Sequence, residues 1–196
     1  VRAMRAAAIL LFLMPTAASA QPDWRRVATA ADRDRLSRWR EAWVAGLEGA
    51  RQGGHAADVA GPVFAFDRAL PRPLPPAGDY RCRTTKLGTA SPAMLPYVAY
   101  PWFACRIEAQ GDAPRLVKLT GSQRQVGMLY PRDAERAVFL GTLQYGYEER
   151  ALRYGRDGKR DVAGWVERIG ERQWRLAMPW PAFESTIDVM ELVPAR

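Results

Sequence analysis

Apolar residues recur with two different periods along this chain, and the change from one to the other falls near residue 78. Between Thr29 and Gly53, the residues Leu36, Trp39, Trp43, Leu47 and Ala50 return every three or four positions, while Arg33, Arg35, Arg38, Arg40 and Glu41 fill the other faces. That spacing predicts one amphipathic helix, opened by a capping box of Thr29 with Asp32 and ended near Gly53-Gly54. From His55 to Gly78 the chain is rich in Pro, Gly and Ala, with Pro71, Pro73, Pro75 and Pro76 close together, which predicts an irregular connector.

After Gly78 the pattern becomes short runs of Val, Ile, Tyr, Trp and Thr, broken by turn residues at intervals of about ten residues. These predict strands over 79–87, 98–109, 115–121, 124–130, 136–145, 147–154, 161–169, 173–178 and 184–193, with Asp157-Gly158 as a hairpin signal. Many consecutive strands with short connections imply a mainly β protein. The expected fold is an antiparallel meander forming a barrel or strongly curled sheet, because closure removes exposed edges, with the amino-terminal helix packed on it. A two-sheet sandwich is the alternative.

The first twenty residues follow a third pattern. Arg2 and Arg5 precede an apolar run, Ala6–Met14, and Ala18-Ser19-Ala20 supplies small residues for cleavage. This predicts a signal peptide over 1–20, then helix and connector over 21–77, and an antiparallel β domain over 78–196 that packs with the helix as one unit. The expected location is periplasmic or secreted. The apolar run is too short to span a bilayer, and no later stretch is longer, so no transmembrane segment is expected.

Composition narrows the chemistry. The net charge is +8, two units of it from Arg2 and Arg5, and no block of like charge occurs, so a nucleic-acid partner is not expected and the chain reads as a monomer. Cys82 and Cys105 are the only cysteines, an even count for an oxidising compartment, and predict a disulfide. A hairpin centred between Ala93 and Met94 would set the two directly opposite each other. His55 is the sole histidine, which argues against a zinc site or a histidine-dependent triad; no metal or cofactor is expected.

Several stretches together carry a family likeness: Tyr80-Arg81-Cys82-Arg83-Thr84-Thr85-Lys86-Leu87-Gly88, Tyr100-Pro101-Trp102-Phe103-Ala104-Cys105-Arg106-Ile107, Lys118-Leu119-Thr120-Gly121-Ser122-Gln123-Arg124, and Glu184-Ser185-Thr186-Ile187-Asp188-Val189. With Val138–Gly141, Arg160–Gly164, Glu167–Gly170 and Trp174–Leu176, they make the chain resemble the exported bacterial family designated domain of unknown function 4893. The resemblance runs from the helix to Pro194. It implies an exported bacterial protein and assigns no activity or catalytic residue.

Two polar groupings are candidate ligand sites. Strand alternation places Arg168, Arg175, Glu184 and Asp188 so that they could form a mixed-charge row, either a set of solvent-facing ion pairs or the lining of a barrel mouth. Arg83 shares a strand face with Arg81, and Lys118 and Arg124 flank the Thr120–Gln123 turn, whose amides, hydroxyls and cations suit a phosphate, sulfate or carboxylate. The leading expectation is a non-catalytic exported barrel binding a small polar or anionic ligand or an envelope component. One alternative is a carboxylate-dependent hydrolase of envelope polymers using Glu148, Glu167 and Glu184. The other is a protein-interaction or inhibitor module using Trp39, Trp43 and Trp180.

Overall fold

A computed structural model describes residues 23–195 apart from Pro92 and Asp112; the signal-like run 1–20 lies outside the described residues. The described residues form nine strands: β1 (Gly78–Leu87), β2 (Tyr97–Ala99), β3 (Phe103–Glu108), β4 (Arg115–Lys118), β5 (Gln123–Pro131), β6 (Arg136–Tyr145), β7 (Asp161–Gly170), β8 (Gln173–Pro179) and β9 (Ile187–Pro194). All neighbours are antiparallel, and β9 pairs back onto β1 from Leu87↔Ile187 to Tyr80↔Pro194. An eight-stranded barrel is therefore closed, with β2 as an extra strand on the Leu87 end of β1. A sandwich is excluded by that closing pair.

Alternation divides the barrel residues into two cores. Tyr80, Cys82, Ile107, Leu116, Leu129, Phe139, Val166, Trp174, Leu176, Met190 and Leu192 point inward and fill the lumen. The outward residues Val138, Leu140, Ala163, Trp165, Ile169, Ala177, Ile187 and Val189 meet the helices instead. Strands β6–β9 are buried on both faces, so apolar residues occupy both sides of each strand in place of strict alternation, with buried charges such as Glu167, Arg175 and Glu191 among them.

The single helix expected before the connector is replaced by short ones: α1 (Trp24–Val27), α2 (Ala30–Ser37) and α3 (Trp39–Ala50). The break falls at Arg38, whose backbone (φ −96°, ψ 18°) leaves the helical region. Leu36, Trp39, Trp43, Leu47 and Ala50 are nonetheless all buried against the barrel wall. The helical layer sits close because α3 presents glycines: a Cβ at Gly46 would lie 2.5 Å from Ile187 Cγ2. At the start of α2 the capping box is bridged by a distant residue. The Thr29 amide donates to Tyr154 Oη (3.0 Å), and that hydroxyl donates to Asp32 Oδ2 (2.6 Å).

The disulfide Cys82–Cys105 is present, with a Cα–Cα distance of 5.9 Å, but the register differs from the expected one. Cys82 pairs with Phe103 and Tyr80 with Cys105, so the bond crosses the strands diagonally. The expected strand 98–109 is split into β2 and β3 around Tyr100-Pro101-Trp102, where proline cannot donate to the ladder, and the register slips there by one residue. The expected strand 147–154 is absent. Its place is taken by an irregular strap, held where the Glu148 carboxylate accepts from the Tyr145 amide (2.8 Å) and where Tyr154 reaches α2.

A mixed-charge row crosses the outside of the barrel, and of the four residues expected in one only Arg175 belongs to it. Strand registers set Arg136, Glu167, Arg175, Glu191 and Arg83 side by side across β6, β7, β8, β9 and β1. Arg136 and Arg175 both pair with Glu167, at 2.7 and 2.6 Å, and Arg83 pairs with Glu191 at 2.7 Å. Glu167 and Arg175 have no exposed surface. Arg175 also donates to the carbonyls of Val63 (2.9 Å) and Ala65 (2.7 Å), and lies 4.5 Å from the centre of the Trp43 ring, fastening the connector and α3 to the wall. Glu184 and Asp188 lie elsewhere.

Breaking a buried pair leaves an uncompensated charge, so Glu167→Ala is expected to cost about 3–5 kcal/mol in urea unfolding. Reduction of Cys82–Cys105 should lower the melting temperature under otherwise identical conditions, corresponding to about 3.5 kcal/mol in the chain-entropy account of a loop of this size.

Candidate functional site

The lumen is apolar through most of its length and polar at one end. Toward the Leu87 end of β1 the inward positions become Thr84 and Lys86, and those of β4, β5 and β9 become Lys118, Gln125 and Asp188. These side chains line two adjoining clefts at the barrel mouth, which share Lys86, Gln123, Gln125 and Asp188. One of them is bordered by Tyr100, Phe103 and Ser122. Among the described residues β2 pairs only with β1, and the β3–β4 pairing ends at Cys105↔Lys118, so this stretch of wall is not closed by a ladder.

Lys86 and Asp188 are direct partners in the β1–β9 register. The Lys86 ammonium lies 2.8 Å from Glu184 Oε2 and 3.5 Å from Asp188 Oδ2, and Ser185 Oγ donates to Asp188 Oδ1 at 2.5 Å. Burial disfavours the Lys86 ammonium, but the carboxylates of Asp188 and Glu184 outweigh it and raise the pKa. Asp188 is shifted upward because burial disfavours its anion more than Lys86 and Ser185 stabilise it. Glu184 arrives on a constrained loop: its φ is +73°, that of Trp180 is +50°, and the Glu184 carbonyl accepts from the Ala90 amide.

Lys118 has a different environment. It is 6% exposed, its ammonium sits 4.2 Å from the centre of the Phe103 ring, and no carboxylate lies within 4.0 Å of it among the described residues. Gly121 (φ +96°) makes room for that ring, which lies 3.1 Å from where a Cβ would project. Burial, reinforced by the Lys86 charge and only partly opposed by Asp188, lowers the Lys118 pKa to about 8. Nearby, Thr84 Oγ1 and Gln125 Oε1 are buried without a hydrogen-bond partner among the described residues. A cation without a carboxylate and unpaired polar atoms around one cleft form a site with unused hydrogen-bonding capacity.

Of the residues singled out from sequence, Lys118, Glu184 and Asp188 meet at this mouth, and the other four do not. Arg83 faces outward to Glu191, and Arg175 is enclosed beneath the connector. Arg124 donates to the carbonyls of Tyr145, Gly146 and Glu148, tying down the turn after β6. Arg168 lies at the opposite end of the barrel beside Trp174 and donates to the Pro71 carbonyl at 2.7 Å. The acids proposed for hydrolysis are also apart: Glu148 pairs with Arg160, and Glu167 lies within the outer row. Trp39 and Trp43 are buried in the helix–barrel core.

Sequence reasoning missed Lys86 and Lys159, although composition carries a signal for both. The chain has 26 arginines and only three lysines, Lys86, Lys118 and Lys159. All three border the mouth. Where arginine is the default cation, positions held by lysine mark places that need a compact amine with an adjustable pKa.

The fold and its opening define a helix-jacketed, closed antiparallel barrel with a lysine-lined mouth; among the described residues no helix is long and apolar enough to cross a membrane. The family model described as domain of unknown function DUF4893 matches residues 24–192, and the chain belongs to that family. Comparison with curated proteins and with solved structures finds no match.

Because the folded state holds the Lys118 pKa below its unfolded value, the unfolded chain binds more protons between pH about 8 and 10.5, and the cost of the buried ammonium is relieved as pH rises through that window. Lys86, Asp188 and Glu184 share the site, so the comparison is made between variants. The stability gained by Lys118→Met over wild type is expected to be larger at pH 7 than at pH 9.5 in chemical denaturation; an equal gain at both would show that Lys118 carries no such penalty.

Proposed function

We propose that this protein is a non-catalytic exported barrel that binds a small polar, anionic ligand in its lysine-lined mouth. The observation that carries the reading is Lys118, a buried ammonium with no carboxylate partner among the described residues, set in a cleft beside a second lysine. An unpaired buried charge is costly to the folded chain, and an incoming anion offsets that cost where a permanent carboxylate does not. Thr84 and Gln125 supply polar atoms to orient such a ligand, and Phe103 gives it an apolar wall. The disulfide and the signal-like start of the sequence support an oxidising, extracytoplasmic compartment.

Native mass spectrometry of the mature protein purified from its own envelope compartment should show a mass excess that is lost on denaturation. The Lys118→Met variant from the same compartment should lack it. A wild-type protein that carries nothing, and gains no thermal stability from phosphate, citrate or pyruvate, would overturn the reading.

A further inference from the structure

Lys118 differs from the other two lysines in a way that simple charge pairing does not require. Lys86 is held by two carboxylates, whereas Lys118 has an aromatic ring, a neighbouring ammonium and an open cleft. Desolvation next to another cation is the arrangement by which a protein keeps a lysine amine partly neutral and nucleophilic. An arginine at this position would serve an anion at least as well, and this chain otherwise uses arginine almost throughout. What lysine adds is a primary amine.

We infer that Lys118 captures a small 2-oxo carboxylate as a reversible imine, with the buried Lys86–Asp188 pair at the same mouth handling the protons. This inference rests on the anion-binding reading and names the ligand class for it. In the step, the Lys118 nitrogen lone pair forms a bond to the carbonyl carbon, and the C=O π pair moves to the oxygen, which takes a proton from the Lys86 ammonium. The nitrogen of the resulting carbinolamine releases a proton to Asp188 or to the Lys86 amine. The hydroxyl is then protonated and leaves as water while the nitrogen lone pair forms the C=N bond. One amine and one carbonyl give one iminium ion and one water with uptake of one proton, and nothing is oxidised or reduced. The ligand's carboxylate competes with Glu184 for Lys86, which is feasible because the Glu184 side chain is 44% exposed and arrives on a loop.

The small number of lysines makes the test clean. The mature wild-type protein is incubated with pyruvate and sodium cyanoborohydride at pH 7.5, digested, and the reduced adduct mapped. One lysine adduct per chain is expected, on Lys118, forming at least about tenfold faster than on Lys159, as a partly neutral amine should. Lactate, which has the carboxylate but no carbonyl, should slow it by competition. Lys118→Arg should abolish the adduct while retaining the thermal stabilisation by lactate, and Lys118→Met should lose both. Saturable lactate stabilisation without an adduct at Lys118, or adducts spread evenly over the three lysines, would overturn the imine and leave the anion site standing. Absence of both adduct and stabilisation by pyruvate, lactate, phosphate or citrate would overturn both.

Discussion

The charged row on the outer wall is the constraint on which the rest of the structure depends. Five strands must align within one residue for Arg136, Glu167, Arg175, Glu191 and Arg83 to meet, so the row fixes the register of most of the barrel. It also joins two layers. Arg175 is shared between a carboxylate on the barrel and carbonyls of the connector, with Trp43 of α3 lying over its guanidinium. An apolar side chain there would pack as well but would not satisfy the Val63 and Ala65 carbonyls, and the connector has few ladder bonds of its own. Burial disfavours the guanidinium and Glu167 opposes that, so the pair contributes specificity of docking more than net stability.

Much of this arrangement was legible from residue order. The apolar spacing from Leu36 to Ala50 identified the helical face that is buried, and the cysteine pair was found. What failed did so for identifiable reasons. Period-two reasoning divides one strand into two faces but does not say which face of one strand continues which face of the next. The β7–β8 register pairs Glu167 with Arg175 and Arg168 with Trp174, so Arg168 and Arg175 are near neighbours on opposite faces of the wall. The segment after Tyr145 has strand-like composition, but its tyrosine and glutamate are used as hydrogen-bonding groups at a distance, which no local pattern reveals.

The mouth shows the same division. Lys118 and Asp188 carry signals of type and position, yet their meeting depends on closure of β9 onto β1, a contact between residues about a hundred positions apart. Lysine scarcity is visible without any structure, but it gains meaning only once all three lysines are found around one opening. Burial on both faces of β6–β9 also hides which side of each strand is lumen.

That closing pair has a kinetic side. Strand β1 is the hub of the sheet, meeting β2, β3 and β9, and its β9 edge stays open until the last strand arrives. The disulfide and the local hairpins can form early, but the ladder from Leu87↔Ile187 to Tyr80↔Pro194 closes a longer loop than any other strand ladder of the barrel. High contact order of this kind slows folding and leaves an edge exposed to wrong partners in the meantime. Truncation within Ile187–Pro194 would therefore leave the N-terminal hub strand unpaired along that side, and the whole barrel, not merely its tail, would become prone to aggregate.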